Sequence, residues 1–479
     1  MIPEEFKKLT TDSHLKYGET IESWKIYKQD GPQDAVDYVH RILEKRDLLQ
    51  QSTALRDTAI PYQIWGAEHI DSGALDQMKN AARLPISIAG SLMPDAHSGY
   101  GLPIGGVLAT DNAVVPYAVG VDIACRMMMT VYASPVDMLT KPESAEFLHL
   151  RKALLDNTVF GAGADGVHDG KIEHPILEPA HWNSTRLTRD LRITAIRQIG
   201  TSGTGNHFVE WGEFEVTDPS NPMNLKPGHY LALLSHSGSR GVGFRIAEHY
   251  TQIAMNTLPH LDESVKHLAW LSLDSEEGQE YWKFMHLAGE FASANHHVIH
   301  ARIAKAAGLT SIASIENHHN FAWSEKVMVN GVETEAIVHR KGATPAGKGV
   351  LGIIPGTMAD LGFVVAGKGN TASLNSASHG SGRQMSRRKA ITTITKKQHA
   401  DYLREKGITL IGGGLDEAPQ AYKPIEKIIE AQNDLVAIIG TFQPRIVRMA
   451  EDKPLRFKRA PEGVIDAPER LVDGGGKSY

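Results

Sequence analysis

The 45 glycines of this chain are unevenly spread, and their clustering constrains the backbone more than any other feature. They gather in six loops: MPDAHSGYGLPIGG (93–106), GTSGTGNH (200–207), HSGSRGVG (236–243), HRKGATPAGKG (339–349), IPGTMADLG (354–362) and SHGSGR (378–383). Glycine tolerates positive φ and lets backbone approach a ligand closely, which phosphate and metal sites require. Each cluster carries His, Asp, Asn, Lys or Arg beside its glycines. Between the loops, strand-like runs at 86–89, 105–110, 117–123, 229–235 and 336–339 alternate with helical patterns at 242–256, 279–307 and 425–440. Strands and helices mixed without βαβ regularity predict an α+β fold, not a doubly wound sheet.

The 479 residues are enough for one large domain or several. We expect an N-terminal helical extension at 1–58, with a helix over 35–49 behind a turn at Gly31-Pro32, a main domain at 59–449 and a C-terminal tail at 450–479. The tail is charged and contains Pro and Gly, so it reads as a surface segment. Fifty Lys and Arg against 56 Asp and Glu give a net charge of −6, which excludes coating nucleic acid by global positive charge. A polyanion site must be local. Arg240, Arg340, Lys341, Arg383 and the run 387–389 could supply it. The start of the chain is polar, and no apolar run reaches the roughly 18 residues of a membrane span, so the expected location is cytoplasmic and off the membrane.

One cysteine stands against 23 histidines. An intrachain disulfide and a Cys-rich zinc cluster are thereby excluded. Imidazole suits Mn, Fe, Co, Ni and Zn, and a lone thiolate can join such a site. The run 118–126 reads as an apolar strand that delivers Asp122 and Cys125 within four residues. A buried cysteine beside a capping aspartate is the plain alternative, weakened because an acid in an apolar run is costly unless paired or metal-bound. In 206–210 a strand would place His207 and Val209 on one face and Asn206, Phe208 and Glu210 on the other. His236 opens a Gly/Ser loop ahead of a helix, an anion-binding arrangement with Arg240 nearby, or a simple glycine turn. Asn317-His318-His319-Asn320 is either a ligand group or a polar turn. The loop 378–383 suits a nucleophilic or phosphate-facing His379 with Arg383 on phosphoryl oxygens, or again a turn.

Three patterns mislead. The segment 342–349 nearly matches a P-loop, but glycine replaces the Mg²⁺-binding Ser/Thr and a strand-like run follows. The spacing in 99–105 is wrong for a dinucleotide fingerprint. His296 and His300, four apart on a helix, read as a solvated or core-edge pair rather than a metal clamp.

Taken together, MPDAHSGYGLPIG, AVGVDIACRM, GTSGTGNHFVEW, LSHSGSRGVG, NHHN, HRKGA, IIPGTM and SHGSGRQMSR, in that order, resemble the RtcB family of GTP-dependent RNA ligases. The resemblance implies a mixed α/β core of the family's own type that holds two Mn²⁺ ions. It implies Asp122, Cys125 and His207 on one metal and Cys125, His236 and His319 on the other, with Cys125 bridging. His379 would take GMP from GTP, with Asp95, His97 and Asn206 assisting. Asn206, Phe208, Glu210, Asn320, Pro355, Gly356, Thr357, Met358, His379, Gly380, Ser381, Gly382 and Arg383 would line the nucleotide site. The activity implied is joining of RNA 3′-phosphate or 2′,3′-cyclic phosphate ends to 5′-hydroxyl ends, on tRNA halves or damaged RNA. Some family members work with an archease activator.

Two positions depart from the pattern. Met449 stands where family members commonly carry a nucleotide-contacting Lys, with Lys453 and Lys458 as substitutes, and Gly362 stands where a Ser is common. Two alternatives therefore stay open: a divergent metal-dependent phosphodiesterase or nucleotidyltransferase with another nucleotide, and a non-catalytic RNA-end binding protein.

Overall fold

The computed structural model describes residues 1–163 and 165–451, the side chains of residues 45, 46 and 48–51 excepted. Lys453, Lys458 and all but the first two residues of the expected tail lie outside them. The fold is α+β, built on two large sheets. One has eight strands, ordered Leu351–Ile354, Gly362–Gly367, Val436–Met449, Phe208–Val216, Gly228–Ser237, Arg126–Tyr132 and Ser311–His318, with Thr409–Ile411 added parallel to Val436–Met449. The other has five, ordered Tyr62–Ile64, Ser87–His97, Ile104–Thr110, Val332–Lys341 and Asn320–Val329.

Strand alternation explains how the eight-stranded sheet is covered. Val209, Trp211, Leu231 and Leu233 face one way and pack with Ile299 and Ile303 of the 32-residue helix Glu276–Ala307. Phe214, Ala232, Leu234 and Phe442 face the other way, with Met127 and Met129. A third apolar cluster joins helices Arg186–Gln198, Arg240–Thr257 and Glu276–Ala307. Helices Pro3–Asp12, Tyr17–Gln29 and Pro32–Thr53 close a small core of their own around Phe6, Ala35 and Val39, with Trp24 and Tyr27 against Phe6.

Two expected elements differ. The run 118–126 is not a strand: Pro116 starts a helical turn, Pro116–Val119, and Gly120 at φ 102° ends it. A turn follows, and only Arg126–Tyr132 is extended. Proline at the first helical position and glycine just past the last outweigh the apolar run. The stretch 425–440 is likewise split into a helix, Ile425–Glu430, and the start of the strand Val436–Met449. Gln432 breaks it, because its side chain turns inward to Ser378, accepting from the Ser378 N–H (2.9 Å) and donating to the hydroxyl. Elsewhere the expected helices at 242–256 and 279–307 and the strand-like run after 349 are present.

Candidate metal and nucleotide site

The site lies where five adjacent strands of the larger sheet end together. Arg126 is in register with Ser237 and His318, and Phe208 with His236 and Met449. His319 is the single residue between a strand of the larger sheet and Asn320–Val329 of the smaller one, so the two sheets meet at its imidazole. Asp122 and Cys125 enter on the turn before Arg126. Ala124 sits in the left-handed region at φ 56°, an uncommon place for a residue with a Cβ. Two backbone bonds hold it: Ala124 N–H to Asn320 O (2.7 Å) and His319 N–H to Cys125 O (3.0 Å). The Asn320 amide donates to Asp122 O (3.2 Å) and accepts from Gly342 N–H (2.8 Å), tying the turn to both sheets.

Cys125 Sγ lies 3.4 Å from His207 Nε2 and 3.1 Å from His236 Nε2. His236 Nε2 is 3.3 Å from His319 Nε2, and His207 Nε2 is 3.1 Å from Asp122 Oδ2. Backbone carbonyls take the opposite nitrogens: His207 Nδ1 donates to Ser202 O (2.8 Å) and His236 Nδ1 to Asn206 O (3.1 Å). Both Nε2 atoms are then bare lone pairs aimed at one sulfur. Ligands at about 2.0–2.3 Å from one ion stand about 3–4 Å apart, which is the spacing seen here. The ligand atoms of Cys125, His207 and His236 all fall within 4.8 Å of one another, and His319 Nδ1 is buried without a partner among the described residues. This donor set fits divalent metal.

The electrostatics agree. Burial, then the Asp122 carboxylate, pushes the Cys125 thiol well above its ordinary value. Burial, then neighbouring imidazoles, lowers His236 to about 3 and His319 well below its usual range. For Asp122, burial works upward, but its close contact with His207, then the Arg240 charge, outweigh it and leave the carboxyl low. Neutral imidazoles around a carboxylate and a thiol are the protonation pattern that a bound cation exploits.

His379 stands beside this group, its ring centroid 4.9 Å from that of His319. Asp95, fully buried, accepts at Oδ2 from His379 Nδ1 (2.6 Å) and from the His379 N–H (3.1 Å). Nδ1 is thus the nitrogen that donates to Asp95, and Nε2 is the one turned away from it. His97 bonds the Asp95 carbonyl through Nδ1 (3.1 Å), and burial lowers it to about 4. Gly382 at φ 69° lies so close to the Asp95 carbonyl that a Cβ there would overlap it. Gly380 abuts Pro355, which brings the 355–358 and 379–382 segments together. Thr357 donates to Asp360 (2.5 Å), and the buried Ser381 hydroxyl is unpartnered among the described residues.

Phe208 and Glu210 share a face, as strand alternation requires. Glu210 is buried, its Oε2 has no partner among the described residues, and burial raises its carboxyl well above the ordinary range. Met449 packs with Met358 and Phe208, so an apolar wall occupies the place expected of a lysine. Asn206 is exposed at the rim.

Other expected residues are already engaged. Arg340 is buried, with two donors on Glu325 (2.6 and 2.8 Å), so its charge is neutralised inside the protein. Arg383 is spent on Glu417, Tyr422 and the Asp416 carbonyl, and Arg387 on Asp416 and Glu417. The amides of the helix start at Arg240 are also taken: Ser239 N–H by Asp122 (3.1 Å) and Gly241 N–H by Gln198 (2.9 Å). His296 and His300 are neither solvated nor at the core edge. Both are buried and bond the Ser235 hydroxyl at 2.7 Å. The glycine loops and the 317–320 segment mark the site in the sequence, while the supporting roles of the Ser202 and Asn320 backbones emerge only in the fold.

A family model described as "tRNA-splicing ligase RtcB" matches residues 77–192 and 168–450. This chain belongs to the RtcB family. It is 31% identical over 412 residues to the RNA-splicing ligase RtcB of Escherichia coli, covering 80% of this chain and 96% of that one. It is 30% identical to the tRNA-splicing ligase RtcB of Thermococcus kodakarensis (75% and 87% covered), and 27% identical to that of Methanococcus maripaludis (77% and 89%). The RtcB match spans the larger sheet, all of the smaller sheet but its edge strand Tyr62–Ile64, and every residue of the site.

Proposed function

We propose that this RtcB-family protein is an RNA ligase that joins 3′-phosphate or 2′,3′-cyclic phosphate ends to 5′-hydroxyl ends through a guanylylated His379, in tRNA splicing or RNA repair. The observation that carries this reading is the His379–Asp95 pair. A 2.6 Å bond fixes the proton on Nδ1 and leaves Nε2 free to attack beside the thiol–imidazole cluster.

Asp122, Cys125 and His207 would hold one divalent ion, and Cys125, His236 and His319 a second; we assign both as Mn²⁺. When bound, these ions supply the positive charge that offsets the triphosphate and polarises phosphorus. His379 Nε2 attacks the α-phosphorus of GTP, the P–N bond forms, and pyrophosphate leaves. Water first opens a 2′,3′-cyclic end to a 3′-phosphate and a free 2′-hydroxyl; an oxygen of the RNA 3′-phosphate then takes the guanylyl group from His379. The 5′-hydroxyl attacks the 3′-phosphorus, and GMP departs. Asp95 keeps the ring in its attacking orientation throughout. Asn206, Phe208, Glu210, Asn320, Pro355, Gly356, Thr357, Met358, Gly380, Ser381 and Gly382 would line the nucleotide, and Arg383 braces the loop. A buried Glu210 with an unpartnered oxygen suits a donor edge of a base.

The protein is incubated with Mn²⁺ and GTP labelled at the α-phosphate, then denatured. An acid-labile protein label, lost in His379→Ala, is expected; no label refutes the mechanism. The Met449–Met358 wall favours a second reading, in which another nucleotide is used, and equal labelling from ATP would establish it. Fewer than one ion per chain after Mn²⁺ loading would favour a non-catalytic RNA-end binder.

A further inference from the structure

An aromatic cluster borders the site and has no part in the reaction above. Tyr100 lies five residues after Asp95, and Tyr117 five residues before Asp122. Their ring centroids are 6.4 Å apart and the planes 35° from parallel. His267 closes the group, 5.9 Å from Tyr100 and 5.4 Å from Tyr117. Tyr100 is 37% exposed, His267 is exposed and Tyr117 half-buried, so the cluster is open to solvent.

The backbone beneath Tyr100 is pinned. Asp71 accepts from the Ser98 hydroxyl (2.6 Å) and the Ser98 N–H (3.1 Å). Gln77 accepts from Gly99 N–H (3.0 Å) and donates to Gly99 O. The Lys341 ammonium donates to Tyr100 O. Gly101, at φ 68°, lets the loop rest on the His267 carbonyl, which a Cβ would meet at 3.0 Å. The next residue after Lys341, Gly342, lies against His379. A fixed loop thus holds an exposed aromatic face one residue step from the nucleophile's neighbour.

We propose that Tyr100, Tyr117 and His267 form a stacking platform for a nucleobase of an RNA nucleotide flanking the break. The proposal rests on the RNA ligase reading. Ends to be joined are single-stranded, and unstacked bases are held by aromatic faces whatever their sequence. That matches an enzyme that must accept broken ends of differing sequence. It also explains a solvent-accessible ring cluster on a rigid support.

The test uses full-length protein loaded with Mn²⁺ and GTP, and oligonucleotides with an intact base or an abasic nucleotide on either side of the break. Tyr100→Ala should keep wild-type His379 guanylylation and melting temperature while raising KM for RNA about 5- to 100-fold. Tyr100→Trp should restore it. One of the two abasic positions should raise the wild-type KM similarly and make it insensitive to Tyr100→Ala. An unchanged KM, or an equal loss on intact and abasic RNA as expected of a protein-docking face, overturns the platform. Absence of label on wild-type His379 instead overturns the ligase reading itself.

Discussion

The strand Gly228–Ser237 carries a buried histidine cluster on each of its faces, and the two differ instructively. His236 points to Cys125, while the adjacent Ser235 points to His296 and His300 on the helix Glu276–Ala307. Burial holds the imidazoles of both groups low: His236 and His300 to about 3, His296 and His319 well below their ordinary value. Behind the strand, hydroxyls take both nitrogens of His300, from Thr130 and Ser235 at 2.7 Å each, and Nδ1 of His296 from Ser235, while His296 Nε2 stays without a partner among the described residues and meets no thiol. Before it, backbone carbonyls take the Nδ1 atoms, and the Nε2 lone pairs converge on a thiol. Burial alone therefore does not mark a ligand. Convergence of unprotonated donors does.

The comparison can be broken at several points. The largest effect is expected from Cys125→Ala, which should abolish ligation and remove both bound ions together by elemental analysis; retention of either ion would refute the bridging role. Next is Asp95→Asn, which fixes the wrong tautomer on His379. It should slow guanylylation by about 10³–10⁴-fold at unchanged metal content. An effect under tenfold would mean that the carboxylate does not set the attacking nitrogen.

His300→Ala tests the other face. Loss of a buried ring and of partners for Ser235 and Thr130 should cost about 2–4 kcal/mol in denaturant unfolding. Metal binding should be kept, and its loss would merge the two clusters into one functional unit. The smallest effect is in pH. An imidazole held at about 3 stays neutral in the folded chain, while the unfolded one takes up a proton below about 6.5. Its contribution is fully present above 6.5 and shrinks as pH falls toward 3, by about 2 kcal/mol at pH 5. The stability–pH slope between 6.5 and 4 should be shallower in His300→Ala, and equal slopes would exclude this histidine as an acid-sensitive group.

Much of the site was legible because glycine loops and ligand residues are local in sequence. The loop ending at Asn206, the turn at His319 and the loop at His379 could each be read alone. What escaped depends on distant partners. Arg340 reads as a surface cation until the hairpin brings Glu325, on the same face of the neighbouring strand, within reach of it. His296 and His300 read as an edge pair until Ser235 meets them. The run 118–126 has strand composition, but Pro116, Gly120 and the pull of Asn320 shape it into a helical turn and a loop. Tyr100, Tyr117 and His267 come from three segments, so the platform exists only in the folded chain.

The strand Val436–Met449 lies inside the eight-stranded sheet, between Gly362–Gly367 and Phe208–Val216, and pairs with both along much of its length. The ribosome makes it after every other strand of that sheet. The half bearing Leu351–Ile354 and Gly362–Gly367 and the half bearing His236 and Cys125 must therefore wait, edges open, for one late insertion. Assembly of the centre is thereby tied to synthesis of Val436–Met449, and a nascent chain stopped before Val436 would expose two unpaired edges for a chaperone to shield.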